Sequence, residues 1–188
     1  MKIGFAVCGS FCTFSSAFEQ MTLLREAGHE IVPIMSFNAS SIDTRFGKAA
    51  DHLSHIESVC DRKIIRTIED AEPLGPREKL DLLIICPCTG NTLAKLAAGI
   101  TDTPVTMAAK AHLRCDRPLL IALATNDGLS ANLANINAMS KRKGVYFVPM
   151  RQDDPERKPH SLVADFERLP EAVAAALGNK QIRPLFLS

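Results

Sequence analysis

No apolar run in this chain of 188 residues approaches the roughly 20 needed to cross a bilayer. The longest, such as Leu82 to Cys86 and Leu119 to Ala124, fall far short, so a membrane-spanning chain is not expected. An excess of charge of either sign is also missing. Twenty-two Lys and Arg face 21 Asp and Glu, for a net charge of +1, and the basic residues are scattered, which leaves no footprint for nucleic acid or an anionic membrane surface. The six cysteines (Cys8, Cys12, Cys60, Cys86, Cys88 and Cys115) never form the C-x-x-C spacing of a zinc site, and they sit mostly in or beside apolar runs. Reduced, partly buried thiols of a cytoplasmic protein are expected. The opening Met1-Lys2-Ile3-Gly4 lacks the long apolar region and small-residue cleavage site of a secretory signal, so export is not expected. There is no internal repeat and no low-complexity segment. What remains is ordinary globular composition, 46% hydrophobic and 23% charged. One domain over residues 1–188 is expected, burying roughly 70% of the surface its unfolded form exposes, with a helical segment and tail from about residue 160.

Lys2 to Cys8 reads as a strand ending at the turn Gly9-Ser10. Phe14, Ala17, Phe18, Met21 and Leu24 then repeat at helical spacing until Gly28, a natural left-handed stop. Glu30 to Ser36 reads as a second strand, with Pro33 best placed at a sheet edge or bulge. Residues 44–60 carry weaker helical periodicity through Phe46, Ala49, Ala50, Leu53, Ile56 and Val59, followed by a polar stretch through Pro73, Gly75 and Pro76 that is expected to hold a small helix and a loop. Leu80 to Cys86 has the unbroken hydrophobicity of a central parallel strand, with Cys86-Pro87-Cys88 as the lead into a loop and a helix from Leu93 to Ile100. Leu119 to Ala124 and Val145 to Pro149 read as further strands, Ser161 to Leu177 as helix in two pieces divided near Pro170, and the apolar tail Ile182 to Leu187 as docking on the body or on a neighbour. Repeated βα units predict an α/β fold with a doubly wound parallel sheet.

In such a sheet ligands bind beyond the carboxyl ends of the strands. The loops there are small and hydroxylated: Gly9-Ser10-Phe11-Cys12-Thr13, Ser36-Phe37-Asn38-Ala39-Ser40 and Thr89-Gly90-Asn91-Thr92. Ser, Thr, Asn and Gly are ordinary caps and turn residues. Three such loops at one sheet edge, however, bring backbone N–H groups, hydroxyls and helix dipoles together as a phosphate site. The first loop lacks the second and third glycines of G-x-G-x-x-G, and the second strand ends in Ser36-Phe37-Asn38 without an acid for a ribose hydroxyl. Dinucleotide binding in the Rossmann manner is therefore not expected, and no G-x-x-x-x-G-K-[ST] loop occurs. A mononucleotide with one terminal phosphate fits better, with Phe11 or Phe37 beside an isoalloxazine ring.

The run Pro87-Cys88-Thr89-Gly90-Asn91-Thr92-Leu93-Ala94-Lys95-Leu96-Ala97-Ala98-Gly99-Ile100-Thr101-Asp102 closely resembles the flavin-binding stretch of the flavoprotein family that includes phosphopantothenoylcysteine decarboxylase and lantibiotic cysteine decarboxylases. Segments at 36–47, 71–76, 107–111, 125–127 and 152–155 extend a resemblance to one branch of it nearly from end to end. The resemblance implies a flavodoxin-like Rossmann three-layer sandwich, FMN as cofactor, and a homo-oligomer with flavin near a subunit interface. For that branch it implies an oxidoreductase subunit in the mother-cell cytoplasm of a sporulating bacterium. With an A subunit that carries NADP, it would oxidise a dihydrodipicolinate-type ring, a small dicarboxylate, to dipicolinate. By the same resemblance Gly9 and Ser10 meet the phosphate, Ser36 and Asn38 the ribityl or phosphate region, and Thr89, Asn91 and Thr92 the phosphate end. The decarboxylases' P-A-M-N substrate motif is replaced here by Ala124-Thr125-Asn126-Asp127, and their catalytic histidine has no match in context. A non-catalytic scaffold subunit and an FMN-dependent decarboxylase of a small thiol acid stand as alternatives.

Among single residues, Arg45 offers a guanidinium fork to a dicarboxylate or else forms a surface salt bridge. Thr125, Asn126 and Asp127 are substrate-side candidates, Asp127 either as a proton acceptor or as a helix cap. His52 and His55, one helical turn apart, have a spacing that could serve a metal or an acid–base pair, but no second pair of ligands accompanies them and an exposed helix face is expected. Lys95 is expected to be solvated or ion-paired, and the mixed-sign run Arg151 to Lys158 to be a flexible loop. No catalytic residue is assigned from the sequence.

Overall fold

The computed structural model describes residues 1–187. Its chain begins β1 (Lys2–Val7), α1 (Phe14–Glu26), β2 (Glu30–Met35), α2 (Phe37–Ser41), α3 (Ala49–Cys60) and α4 (Ile68–Ala71). It continues through β3 (Leu82–Cys88), α5 (Gly90–Ala98), α6 (Pro104–Leu113), β4 (Leu119–Thr125) and α7 (Leu133–Ser140). The last elements are β5 (Val145–Phe147), β6 (Met150–Arg151), β7 (Leu162–Ala164) and α8 (Leu169–Leu177). Strands β2, β1, β3, β4 and β5 are parallel neighbours in that order, the flavodoxin-like arrangement. Alternation along the strands divides the core. Ile3, Phe5 and Val7 pack under α1, α3 and α8, while Ala6 and Cys8 face α5, α6 and α7, so the sheet is sandwiched between two helical layers. All seven residues of β3 are buried, as its composition requires.

The sheet is not wholly parallel. The first half of β4 pairs with β5, but Ala124 and Thr125 pair antiparallel with Val163 and Leu162 of β7, which in turn pairs with β6. This hairpin corrects the expectation of helix from Ser161. Leu162-Val163-Ala164 satisfies the free edge of β4, a 3-10 turn follows at Phe166–Arg168, and the α-helix begins at Leu169, with Pro170 in its first turn. Pro33 lies on the edge strand as expected. Its carbonyl accepts from Ile65 N–H at 2.9 Å on the outer side, so the N–H it lacks is not missed by the ladder to β1. The Cys86-Pro87-Cys88 segment continues β3 rather than leaving it. A register shift accommodates Pro87, whose carbonyl accepts from Cys8 N–H at 3.1 Å. Residues 44–47 form a tight turn instead of the start of α3, which leaves Phe46 45% exposed. The tail docks on the body: Met150 N–H donates to Leu185 O, Leu187 N–H to Met150 O, and the Gln181 amide brackets the Phe147 backbone with two bonds of 2.7 Å. Among the described residues, no helix is long and apolar enough to cross a membrane.

Helix α6 lies outside the elements expected from periodicity, although Thr103-Pro104-Val105-Thr106 carries its signals, a capping box with proline at the first position. Its last turn buries His112 completely. Nε2–H donates to Pro118 O at 2.8 Å, while Nδ1 is sealed without a partner. Burial lowers this imidazole to a pKa of about 4, against the opposing pull of the Pro118 carbonyl. An unfolded histidine titrates near ~6.5, so between that pH and about 4 the unfolded chain binds a proton that the fold refuses. Stability is therefore complete above ~6.5 and falls with acidification through that window, by on the order of 3 kcal/mol at its lower end. Denaturant titrations of wild type and His112→Met at several pH values check this. The difference between the two should close or reverse as pH falls, and a pH-independent difference would show that folded His112 takes up a proton as readily as the unfolded chain does.

Candidate functional site

The chain leaves β1 and β3 towards opposite sides of the sheet, which opens a crevice at their carboxyl ends. Two adjoining cavities of about 740 and 370 Å³ flank the hairpin, sharing Asp153 and Val163, and a third of about 300 Å³ adjoins the first through Gly9, Phe11, Thr89 and Asn91. Between them, the first and third are bordered by every candidate from the sequence. Gly9, Ser10, Phe11, Arg45, Thr89, Gly90, Asn91, Thr125, Asn126 and Asp127 border the larger one, and Ser36, Phe37, Asn38 and Thr92 border the smaller. The loop after β4 thus joins the three loops singled out from the sequence.

The hydroxyls divide into those already engaged and those left open. Thr89 caps α5: its Oγ1 accepts from Thr92 N–H at 3.2 Å, and its own hydroxyl donates to Thr92 Oγ1 at 3.1 Å. Thr92 passes the chain on to Cys8 Sγ at 3.3 Å, which ties the loops after β1 and β3 together. Burial pushes the Cys8 thiol up to about 11, so it serves as a neutral acceptor. Ser36 caps α2 by accepting from Ala39 N–H at 3.3 Å. Ser10 occupies the N-cap position of the 3-10 turn Phe11–Thr13 but makes no side-chain capping bond, and neither Ser10 nor Asn91 has a side-chain hydrogen bond among the described residues. The first N–H groups of α5, on Gly90 and Asn91, have no acceptor within their own helix and border the cavity. Lys95 is ion-paired, both Asp102 oxygens lying 2.9 Å from its Nζ at the rim of the smaller cavity.

The loop after β4 is held from within. Thr125 Oγ1 donates to Asp127 Oδ1 at 2.5 Å, Asn132 Nδ2 donates to the same oxygen at 2.8 Å, and Asn135 Nδ2 donates to Asn132 Oδ1 at 2.9 Å. Asp127 therefore does not cap α7 with its side chain. The Thr125 hydroxyl, aided by Asn132 and opposed by burial, holds its carboxyl below the usual range. Asn132, only 5% exposed, carries no signal in the sequence, because its partner lies across a turn rather than at helical spacing.

Arg45 forms no salt bridge among the described residues. Its guanidinium lies over the Phe46 ring, 4.8 Å from the centroid, in the turn Thr44–Gly47. Gly47 closes that turn at φ +137°, with the His52 ring where a Cβ would be, 2.6 Å away. His52 is accordingly not on an exposed face. It packs edge-on against Phe14 and Phe18 with ring centroids 5.1 and 5.6 Å apart, and its Nε2 is buried without a partner. The run 151–158 is likewise more ordered than its mixed charge implies. Lys158 Nζ lies 2.7 Å from Asp153 Oδ2, Ser161 donates to Asp153 Oδ1, and Asp153 and Lys158 both border the larger cavity. Among the described residues there is no cluster of three or more His, Cys, Asp or Glu placed to hold a metal ion.

Gly90 is where the loops after β3 and β4 touch. A Cβ there would lie 2.5 Å from Asn132 Nδ2 and 2.9 Å from Asp127 Oδ1, whereas one on Gly9 would meet Phe11 at 3.4 Å. Gly90→Ala is expected to cost about 1–3 kcal/mol and to lower the melting temperature by roughly 3–10 °C, with Gly9→Ala close to wild type. Thermal melts check this, and an unchanged Gly90→Ala would show slack between the loops.

Comparison with known proteins places this architecture. The B subunit of dipicolinate synthase from Bacillus subtilis (strain 168) is 41% identical over 186 residues, covering 99% of this chain and 93% of the relative. The crystal structure of the dipicolinate synthase B subunit from Bacillus halodurans C superposes with a TM-score of 0.91 at 38% identity, covering 100% of this chain and 96% of that one. A dodecameric FMN-dependent UbiX-like decarboxylase from Escherichia coli O157:H7 follows with a TM-score of 0.66 at 27% identity, covering 79% and 80% of the two chains. The model of the family described as Flavoprotein matches residues 1–175, and with the loops, the strand order and these relatives in agreement, the chain belongs to the flavoprotein family.

Proposed function

We propose that this chain is the B subunit of a dipicolinate synthase, acting in the cytoplasm of a sporulating cell with an A subunit that binds NADP. In this reading the two chains together oxidise a dihydrodipicolinate-type ring to dipicolinate. The observation that carries it is the 41% identity over 186 residues, a match that spans 99% of the chain and so takes in the site loops as well as the sheet. The missing glycines after Gly9 agree with a division of labour in which the pyridine nucleotide is bound by the other subunit.

FMN is the cofactor in this reading, and the residues present fit it. The unfilled N–H groups of Gly90 and Asn91, the Ser10 hydroxyl and the Asn38 side chain would hold the phosphate and ribityl chain, with Phe11 beside the ring. Bound there, FMN would supply a two-electron acceptor. Thr89, Thr92 and Ser36 keep the loops in place through their caps, and Arg45 would pair with a substrate carboxylate. Phe37, Ile42 and Phe46, each 42–45% exposed beside the site, suit a homo-oligomer in which a neighbouring copy covers them.

A non-catalytic scaffold is the second reading. It is favoured by a cavity lining without histidine, in which Asp127 and Asp153 are both held below the usual carboxylate range. Co-expression of both chains with an assay for dipicolinate decides the main proposal: product formation should require this chain, and full activity of the NADP-binding partner alone would overturn it. Visible absorption after FMN reconstitution separates the readings, since a protein that stays colourless would favour the scaffold. Ser10→Ala and Asn91→Ala should each weaken FMN binding roughly tenfold to a hundredfold. Neither hydroxyl nor amide has a structural partner, so melting temperatures should stay near wild type. Unchanged affinity in both variants would move the phosphate elsewhere.

A further inference from the structure

Cys8, the residue that follows β1, commits each of its polar groups where two loops meet. Its N–H donates to Pro87 O at 3.1 Å, across to the end of β3, and its carbonyl accepts from Ser10 N–H at 2.8 Å. Its sulfur accepts from the Thr92 hydroxyl at 3.3 Å. Thr92 Oγ1 in turn accepts from the Thr89 hydroxyl at 3.1 Å, and Thr89 caps α5 by accepting from Thr92 N–H at 3.2 Å. The first turn of α5 is therefore a closed pair of threonines whose side-chain link to the loop after β1 is a sulfur atom. Cys88 holds the same cap from the end of β3, its thiol donating to Thr89 O at 3.6 Å.

Cys8 is 1% exposed and packs in the apolar layer with α5, α6 and α7. A thiol tolerates that layer as a small hydrophobe and can still accept a hydrogen bond. Burial raises it to about 11, with the Thr92 hydroxyl and the Thr89 backbone N–H pulling the other way, so the sulfur is uncharged at neutral pH. We infer that Cys8 is the positioning residue for the start of α5: its sulfur fixes Thr92, and with it the place of the unfilled N–H groups of Gly90 and Asn91. The inference rests on the reading of those N–H groups as the phosphate site, and it deepens that reading by naming what holds them. Hydrogen bonds weaken steeply as distance and angle depart from ideal. A first turn released from Cys8 would thus bind phosphate less well in a fold that is otherwise kept.

The test compares FMN with riboflavin, which has the same ring and ribityl chain without the phosphate. Each is titrated into the full chain and followed by flavin fluorescence, so that the ratio of the two affinities reads the phosphate alone. Wild type should prefer FMN by roughly tenfold or more, as charge-assisted hydrogen bonds to a phosphate provide. Cys8→Ala should lower that ratio about threefold to tenfold, and Cys8→Ser, which restores an acceptor, should bring it back towards wild type. Thr92→Val removes the same bond from its other end, and combined with Cys8→Ala it should lower the ratio no further than the larger single change. Cys86→Ala is the control. It truncates a thiol that is also fully buried, but on the opposite face of the sheet, and should leave the ratio unchanged. Melting curves show which variants keep the fold, and if Cys8→Ala does not, Cys8→Ser and Thr92→Val carry the comparison.

Wild type that binds neither flavin, or both equally, overturns the phosphate reading and this inference with it. Where wild type prefers FMN, an unchanged ratio in Cys8→Ala and Thr92→Val overturns the positioning role alone. So does an equal fall in Cys86→Ala, since lost packing would then explain it. Additive losses in the double variant, or a Cys8→Ser protein no better than Cys8→Ala, would also overturn the role, because the bond between sulfur and hydroxyl would not be the cause. Dipicolinate formation by the two chains is read separately, and its failure with this pattern of ratios intact rejects only the proposed reaction.

Discussion

Because β3 is buried on both faces between β1 and β4, its backbone must be paired within the sheet along its whole length, and the chain is free to turn only beyond Cys88. The same holds for β1 beyond Cys8. These two turns therefore open side by side at one edge, and the hydrogen bonds from Thr89 through Thr92 to Cys8 lock one to the other. With their hydroxyls committed inward, the loops present what is left: the first N–H groups of α5, the Ser10 hydroxyl and the Asn91 amide. This division leaves donors facing the crevice, the chemistry that an anion would need. A helix start cannot satisfy its own first donors, and here the cap takes one and leaves the others facing a cavity.

The second half of the site depends on an edge. Strand β4 runs past the end of β5, and its unpaired last residues are covered by β7, which brings the segment with Asp153 and Lys158 to the cavity wall. That is why a stretch with the composition of a solvated loop borders the candidate site. It adds Asp153 and Lys158 to the charges that other loops bring to the cavity, Arg45 from the turn before α3 and Asp127 from the loop after β4.

How much of this can be read in advance follows physical range. Strands buried on both faces announce themselves by composition, so Leu80 to Cys86 and Leu119 to Ala124 are legible, and with them the order of βα units and the edge that carries the loops. The resemblance in residues 87–102 then points to the family. Contacts between distant segments are not legible. Leu162 to Ala164 has a strand's composition, but its pairing with Thr125 depends on where β4 ends. Asn132 acts through Asp127 across a turn, and His52 reads as an exposed helical residue until the Thr44–Gly47 turn is folded against it. Cap residues are ambiguous for a related reason: Thr89 and Asn91 belong to the same motif, yet one is consumed by the helix and the other is not.

The central claim is that the ligand site lies where the loops after β1, β3 and β4 meet, with the phosphate at the start of α5. A crystal structure of the protein soaked with FMN tests it most directly. The account predicts density for the phosphate against the Gly90 and Asn91 N–H groups and for the ring in the cavity bordered by Phe11 and Asp127. Flavin bound at any other edge of the sheet, with this crevice filled only by solvent, would contradict it.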